Sequence, residues 1–299
     1  MTNKCSIKNI HTEIEQELSS CGIEDASLEA AIMLEHFTGC DRLEQLRHPE
    51  REVNAQQLEE IDKAVQERCR RKPLSQILGE VYFYGRPFYV TEDVLTPRPD
   101  TEILVEAVLQ EIRERYSSSG NGIAVLDSCT GSGCIGLSLL LELKVDHIIK
   151  HLDLCDNSRE ALEIARRNAK RHAVMGKISL FDCDLWPNAA KRYDVITCNP
   201  PYINREDMEQ LMPEVAQFEP YPALYGGSDG LEFYRRLAAE TAEHSKPGAI
   251  LAVEHAYDQR AAIKEIFADS PFAFVRELDD YGGNARVLIF ELRELNPFG

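Results

Sequence analysis

The sequence is poor in several features, and each shortage excludes a class of protein. No apolar run approaches the roughly 18 residues that span a bilayer. The opening segment, MTNKCSIKNIHTEIEQ, has no apolar core of a secretory signal, so a cytoplasmic protein without membrane contact is expected. There is no Cys-x-x-Cys pair: nine cysteines, an odd number, are scattered from Cys5 to Cys198. That pattern suits neither a disulfide framework nor a zinc knuckle, and reduced, mostly buried thiols are expected. Histidine clusters are missing too. The nearest pair, His147 and His151, falls on one face of an expected strand but offers only two ligands, so no metal is expected. Basic charge is scarce, with 33 Lys and Arg against 51 Asp and Glu and a net charge of -18. A protein that lives on nucleic-acid phosphates shows the opposite balance. The one basic run, Arg68, Arg70, Arg71 and Lys72, reads as the positive end of a helix.

The chain has 299 residues, 43% hydrophobic and 28% charged, enough for a sizeable core divided between two units. Between Ile10 and Cys69 the apolar spacing is helical. Ile10, Ile14 and Leu18 run to Gly22; Leu28, Ala31, Ile32 and Phe37 run to Gly39; Leu58, Ile61 and Val65 run toward Pro73. Asp25 and Asn54 stand as N-caps. This stretch contains no catalytic cluster and predicts a small helical bundle suited to docking a partner. Aromatic alternation in Val81-Tyr82-Phe83-Tyr84 and Phe88-Tyr89-Val90, around Gly85 and Pro87, predicts a β-hairpin connecting two domains. The expected division is a helical domain over 1-75, a hairpin over 76-95 and an α/β domain over 96-299. In the last, apolar runs at 123-126, 148-154, 178-181, 195-198, 250-253 and 287-290 alternate with helical patterns, the mark of a doubly wound parallel sheet. Such sheets bind ligands at the carboxyl ends of their strands.

Directly after the first of these strands comes Asp127-Ser128-Cys129-Thr130-Gly131-Ser132-Gly133-Cys134-Ile135-Gly136. Small residues there allow a tight strand-to-helix turn and close approach of a ligand to main-chain amides. Gly131, Gly133 and Gly136 match G-x-G-x-x-G, and Asp156 stands 20 residues further on, which keeps a nicotinamide dinucleotide enzyme open. Asp127 separates the readings. An acid at the tip of the first strand suits a ligand with a positive end better than a pyrophosphate. S-adenosylmethionine has an ammonium and a sulfonium and no phosphate. Asp156 would then hold the ribose hydroxyls and Asp184 the adenine amino group, with Leu185 or Trp186 against the ring.

After the fourth strand stands Asn199-Pro200-Pro201-Tyr202. Prolines fix φ and remove donors, so Pro200 and Pro201 stiffen the loop while their carbonyls stay free as acceptors. With the Asn199 side-chain carbonyl they form two acceptors at fixed separation, able to hold both hydrogens of a planar NH2 group while Tyr202 covers its plane. The pattern predicts a site for an amide or an aromatic amine.

Together, Asp127 to Gly136, Asp156, Asp184 and Asn199 to Tyr202 resemble the successive motifs of class I S-adenosylmethionine-dependent methyltransferases that act on amino groups. More narrowly, the chain resembles the HemK/PrmC family of release factor glutamine methyltransferases. The likeness extends to Pro73-Leu74-Ser75-Gln76-Ile77-Leu78-Gly79-Glu80, Phe83-Tyr84-Gly85, Leu95 to Glu102, Glu219-Pro220, Gly226 to Leu231, and Glu254-His255 with Gln259. It implies a Rossmann-like, mainly parallel seven-stranded sheet behind a small helical bundle. Its implied activity is methyl transfer to the N5 amide nitrogen of the glutamine in the Gly-Gly-Gln motif of class 1 release factors. The implied catalytic group is Asn199, Pro200, Pro201 and Tyr202. S-adenosylmethionine would be held by Asp127, Cys129, Thr130, Gly131, Ser132, Gly133, Asp156, Asp184, Leu185 and Asn199. The helical bundle would dock the release factor; a monomer without direct nucleic-acid binding is expected.

The chain departs from the family pattern at three positions. Cys129 replaces a glycine and requires a negative φ or an altered turn, Gln76 replaces an aromatic residue, and Asp100 replaces Glu. Three other functions compete: an amino methyltransferase of a ribosomal protein or nucleic acid, a nicotinamide oxidoreductase, and a non-catalytic protein that binds translation factors.

Overall fold

The computed structural model describes residues 5–116, 122–187 and 190–293. The chain divides into two compact units, Met1–Glu80 with Met212–Phe218, and Val81–Leu211 with Glu219–Gly299.

The first unit is helical: α1 (Ile7–Ser20), α2 (Ala26–Thr38), α3 (Arg42–Arg47), α4 (Ala55–Cys69) and α5 (Leu74–Leu78). Ile7, Ile10, Ile14 and Leu18 recur at three- and four-residue spacing and turn one face of α1 into a core shared with Ala30, Met33 and Leu34 of α2 and Ile61 and Val65 of α4. Asn54 caps α4 through a reciprocal pair, its Oδ1 accepting from the Gln57 N–H at 2.9 Å while Gln57 Oε1 accepts from the Asn54 N–H at 3.1 Å. Asp25 occupies the N-cap position of α2, but its side chain makes no capping bond. The basic run closes α4 as expected, and three of its four residues are held in ion pairs. Arg68 is buried between Glu29 and Glu214, Arg71 reaches Glu214, and Lys72 reaches Glu67. Glu214 comes from the segment Met212–Phe218, whose return to this unit has no signature in local sequence.

One expectation fails in this unit. Cys21, at the end of α1, and Cys69, the last residue of α4, form a disulfide with Cα atoms 5.4 Å apart. The two cysteines lie 48 residues apart in sequence, and only the packing of α1 on α4 brings them together.

The second unit opens with the hairpin β1 (Glu80–Phe83) and β2 (Arg86–Tyr89), then α6 (Glu102–Tyr116). The sheet strands are β3 (Ile123–Ser128), β4 (Ile149–Asp156), β5 (Ile178–Asp182), β6 (Tyr193–Cys198), β7 (Ser245–Glu254), β8 (Phe272–Asp279) and β9 (Ala285–Leu292). Between them lie α7 (Cys134–Glu142), α8 (Arg159–Arg171), the short α9 (Arg205–Met208) and α11 (Tyr221–Leu224), then α12 (Glu232–Glu240) and α13 (Arg260–Ala268); α10 (Pro213–Phe218) belongs to the first unit. The sheet order is β5-β4-β3-β6-β7-β9-β8, parallel except for β9, which runs against β7 and β8.

Strand residues alternate between two cores. Val125, Val195, Ile250 and Ala252 face one with α6, α7 and α8, whereas Leu126, Ile196, Leu251 and Val253 face the other with α12 and α13. Burial on both faces explains the continuous apolar runs that made these strands legible. β8 was not among the six apolar runs. At the sheet edge it buries only Phe272 and carries Glu277 and Asp279 toward solvent, while Arg276 reaches Glu111 and the Ala107 carbonyl of α6. His147 also differs from expectation: it lies in the turn before β4 with φ 53°, so it shares no strand face with His151.

Candidate active site

The strand order reverses between β3 and β6, and the chain segments leaving the carboxyl ends of β3, β4 and β6, with the one following β5, line a single cavity. Of the glycine-loop residues, Cys129, Thr130, Gly131 and Ser132 line it, whereas Gly133 sits behind as the N-cap of α7 with φ 81°. Asp127 does not line the cavity. It is wholly buried, and its carboxylate accepts from Thr130 Oγ1 at 2.6 Å, Thr197 Oγ1 at 2.7 Å and the Gly136 N–H at 3.1 Å. Burial pushes its carboxyl up to about 6 against the pull of these donors. A residue expected to meet the ligand's positive end therefore ties β3, β6 and α7 together beneath the loop. Gly136 is required for that closeness, because a Cβ there would lie 2.8 Å from Leu154 and 2.9 Å from Asp127. Cys129 adopts φ 55°, the left-handed region, so of the two expected alternatives a negative φ is ruled out.

Asp156 ends β4 and faces the cavity. Its Oδ2 accepts from the Gly131 N–H at 2.8 Å and its Oδ1 from the Ser158 N–H at 3.0 Å, so the same carboxylate positions the glycine loop and the start of α8. Each oxygen keeps a further lone pair for a ligand. Asp184 and Leu185 line the cavity as well, Leu185 with φ 62° and its carbonyl accepting from Ser128 Oγ. Asp184 is already engaged by both terminal nitrogens of Arg236, at 3.0 and 3.2 Å. Trp186, the alternative ring partner, turns away: it stacks on His244 at 4.7 Å and donates to Glu240.

Asn199 and Pro201 line the cavity beyond β6; Pro200 is buried and the Tyr202 ring packs on the second core, so neither is among the lining residues. This loop is braced on two sides. Ile203 donates to the Leu224 carbonyl at 2.9 Å and accepts from the Gly226 N–H at 2.9 Å, and a Cβ on Gly226 would meet the Pro201 oxygen at 2.6 Å. From behind, Gln259 donates to the Tyr202 carbonyl at 2.8 Å and accepts from the Ala256 N–H at 3.1 Å. Asn199 Oδ1 is buried and has no hydrogen-bond partner in the protein. Its neighbour across the sheet is Glu254, wholly buried, with burial raising its carboxyl to about 7. The segment before α6 is fixed residue by residue: Arg98 holds Glu219 with 2.7 Å contacts to both oxygens, Asp100 meets Arg286 at 3.3 Å, and Glu102 accepts from the Tyr84 N–H at 2.7 Å.

Comparison with known proteins agrees with this geometry. Residues 9–79 match the PrmC N-terminal domain, and residues 100–217 match the methyltransferase small domain. The release factor glutamine methyltransferase of Caulobacter vibrioides is 37% identical over 280 residues, which cover 93% of this chain and 93% of that protein. The proteins of the same name from Agrobacterium fabrum, 34% identical over 92% of this chain and 93% of theirs, and Geobacter sulfurreducens, 35% identical over 96% and 98%, match as fully. The chain belongs to the release factor glutamine methyltransferase family. Among solved structures, the catalytic domain of hMettl16 superposes with a TM-score of 0.52 at 13% identity, covering 70% of this chain and 76% of that one, a likeness of fold alone.

Membership of the family, a family of methyltransferases, sets aside the oxidoreductase reading of Gly131, Gly133, Gly136 and Asp156. It also accounts for segments whose chemistry local sequence did not disclose. Gly226 to Leu231 and Gln259 brace the Asn199 loop, and the Pro97 to Glu102 stretch is a set of three anchors. Arg98, Thr101 and Glu254 are the residues that motif reading left without a role. Arg98 lines the cavity, and Thr101 and Glu254 lie beside Asn199, a proximity carried only by strand register. Among the described residues, no helix is long and apolar enough to cross a membrane.

Proposed function

We propose that this chain transfers the methyl group of S-adenosylmethionine to the side-chain amide nitrogen of the glutamine in the Gly-Gly-Gln motif of class 1 release factors. The lining of the cavity fits such a cofactor. It carries the carboxylates of Asp93 and Asp156, whereas Asp184 is paired with Arg236, and Arg98, the one arginine among the described lining residues, with Glu219. That balance favours a cationic ligand without phosphate. Asp156 would hold the ribose hydroxyls, Leu185 the adenine ring, and the loop Cys129 to Ser132 the methionine end. When bound, the cofactor supplies an electrophilic methyl group on a sulfonium.

The chain's own contribution is positioning. An amide nitrogen is a poor nucleophile because its lone pair is delocalised into the carbonyl. Asn199 Oδ1 and the Pro200 carbonyl oxygen accept the two N–H bonds, hold the amide plane fixed and aim the nitrogen into the cavity. The same two oxygens favour positive charge as it develops on that nitrogen. No strong base is required, since the amide proton becomes very acidic once the nitrogen is alkylated. The acidic helical unit serves as the docking module for a release factor with basic patches.

The observation that carries this reading is Asn199 on the cavity wall with a side-chain oxygen that takes no hydrogen bond from the protein. Transfer of labelled methyl to a purified release factor, beside a copy whose Gly-Gly-Gln glutamine is alanine, tests it. Label on the first copy alone supports the reading, and label on both copies overturns it. Asn199→Ala is expected to slow transfer on the order of 100-fold with cofactor affinity little changed; an unchanged rate removes Asn199 from the role.

A further inference from the structure

Asn168 stands on α8, is wholly buried and lies outside the cavity lining, yet it is hydrogen-bonded to two stretches of chain that lead into that lining. Its Nδ2 donates to the Ser132 carbonyl at 2.9 Å and to the Tyr89 carbonyl at 3.1 Å, and its Oδ1 accepts from the Tyr89 N–H at 2.6 Å. Both hydrogens and the oxygen are used, so these partners fix one orientation of the amide. Toward Tyr89 it pairs as a neighbouring strand would, along the edge of β2. The Arg167 and Arg171 guanidinium groups flank the same residue, 4.7 and 4.4 Å from its ring centre. The chain leaving β2 enters a small core that Val90 and Val94 share with Ala161 and Ile164 of α8, and there it becomes the cavity wall of Asp93, Leu95 and Arg98.

On its other side Asn168 meets the glycine loop. Ala165, three residues earlier on α8, presents only a methyl group there, and a Cβ on Gly133 would lie 3.3 Å from it. The Thr130, Gly131 and Gly133 amides donate to the Cys155 carbonyl, Asp156 Oδ2 and the Thr130 carbonyl. The peptide group joining Ser132 to Gly133 is thus held at both ends, its N–H by Thr130 and its carbonyl by Asn168. Ser132 Oγ, in contrast, is buried at the cavity wall with no partner in the protein.

We propose that Asn168 is a positioning residue for the cofactor: its single amide fixes the glycine loop and the wall beginning at Asp93 to one another, so the cavity has its binding form before the cofactor arrives. A loop with Gly131 at φ 52° and Gly133 at φ 81° has other conformations open to it. Without Asn168 the Ser132 carbonyl is free to turn, and a cofactor that must order both walls binds more weakly. Asn168 itself touches neither cofactor nor substrate.

The inference rests on the reading of this cavity as an S-adenosylmethionine site, and one arm of its test needs no ligand. Asn168→Leu nearly keeps the volume and removes all three hydrogen bonds. In the ligand-free full chain, residue-resolved amide exchange should quicken at Tyr89 and Gly133 by a larger factor than at Leu251 in β7. No change, or the same factor at all three, overturns the proposal.

The second arm is calorimetry with S-adenosylmethionine. Affinity should fall about 10-fold or more in Asn168→Leu, the loss expected when the cavity holds its binding form about a tenth of the time. With a release factor as substrate, KM for the cofactor should rise by the same factor while kcat at saturating cofactor stays within about twofold of wild type. Phe267→Leu, in the core on the opposite face of the sheet, destabilises the same unit and should leave the affinity unchanged. An affinity loss that Phe267→Leu reproduces, or a fall in kcat without a rise in KM, shows a merely structural role and overturns the proposal. Wild-type protein that binds no cofactor overturns the reading of the cavity, whereas wild-type binding that Asn168→Leu leaves intact overturns this proposal alone. Should Asn168→Leu fail to fold, Asn168→Ser takes its place in both arms.

Discussion

Replacing Glu254 with glutamine has a consequence for stability that depends on pH with a definite sign. The Glu254 carboxyl is pushed up from 4.5 to about 7, chiefly by burial, with Thr101, Arg286 and Asn199 pulling the other way. A carboxyl whose folded value is raised binds its proton more tightly in the folded chain than in the unfolded one. Its contribution is therefore fully present below the unfolded value and is lost as pH rises through the folded value. At about 1.4 kcal/mol for each pH unit of difference, the whole loss is about 3 kcal/mol. Between about pH 5.5 and pH 8 the part traversed is about 2 kcal/mol. Glutamine has nearly the same shape and does not titrate. The stability of Glu254→Gln minus that of the wild type should therefore grow by about 2 kcal/mol across that range. Paired denaturant titrations of the two proteins, without cofactor and at several pH values, measure the difference while all other titrating groups cancel. A difference that stays flat, or shrinks as pH rises, refutes the reasoning and means that Glu254 is solvated or ionised throughout.

Cys129 in the left-handed region costs roughly 1–2 kcal/mol, of which Gly in its place gives back about half through unfolded-chain entropy; Cys129→Gly should raise stability by up to about 1 kcal/mol, and a lower melting temperature contradicts it. Asp156→Ala removes the acceptor for the Gly131 and Ser158 amides, and cofactor affinity measured by calorimetry should fall about 10- to 100-fold; unchanged affinity would take Asp156 out of the site. The Cys21–Cys69 disulfide leaves seven free cysteines among the described residues; thiol titration of unfolded, unreduced protein should count seven, rising with reductant by the two released sulfurs, and nine before reduction would disprove the bond.

What could be read from the chain followed from burial. Strands with Val125, Leu126, Ile250 and Leu251 are covered on both faces and so advertise themselves as apolar runs, whereas β8 at the sheet edge carries charges and does not. Asn199-Pro200-Pro201-Tyr202 was legible as a site because its residue types have few other uses together after a strand. The Asp127 and Trp186 side chains were misplaced because sequence gives the position of a residue in a motif but not the side from which its neighbours close over it: Asp127 is sealed by Thr130, Thr197 and Gly136, and Trp186 is drawn to His244 and Glu240. The Cys21–Cys69 bond and the nearness of Glu254 to Asn199 depend on which helices and strands become neighbours, and neither has a local signature. Family resemblance carried the rest, since Gly226 to Leu231 and Gln259 are scaffolding that becomes intelligible only when seen bracing the loop.

The central claim is that this cavity methylates one amide. The most direct measurement is fragmentation mass spectrometry of a release factor after incubation with the chain and S-adenosylmethionine. The account predicts a single added methyl group on the side-chain nitrogen of the Gly-Gly-Gln glutamine, absent when Asn199→Ala replaces the wild-type chain over the same short interval. A methyl group on another residue, or an unmodified release factor while the cofactor is bound, would contradict it.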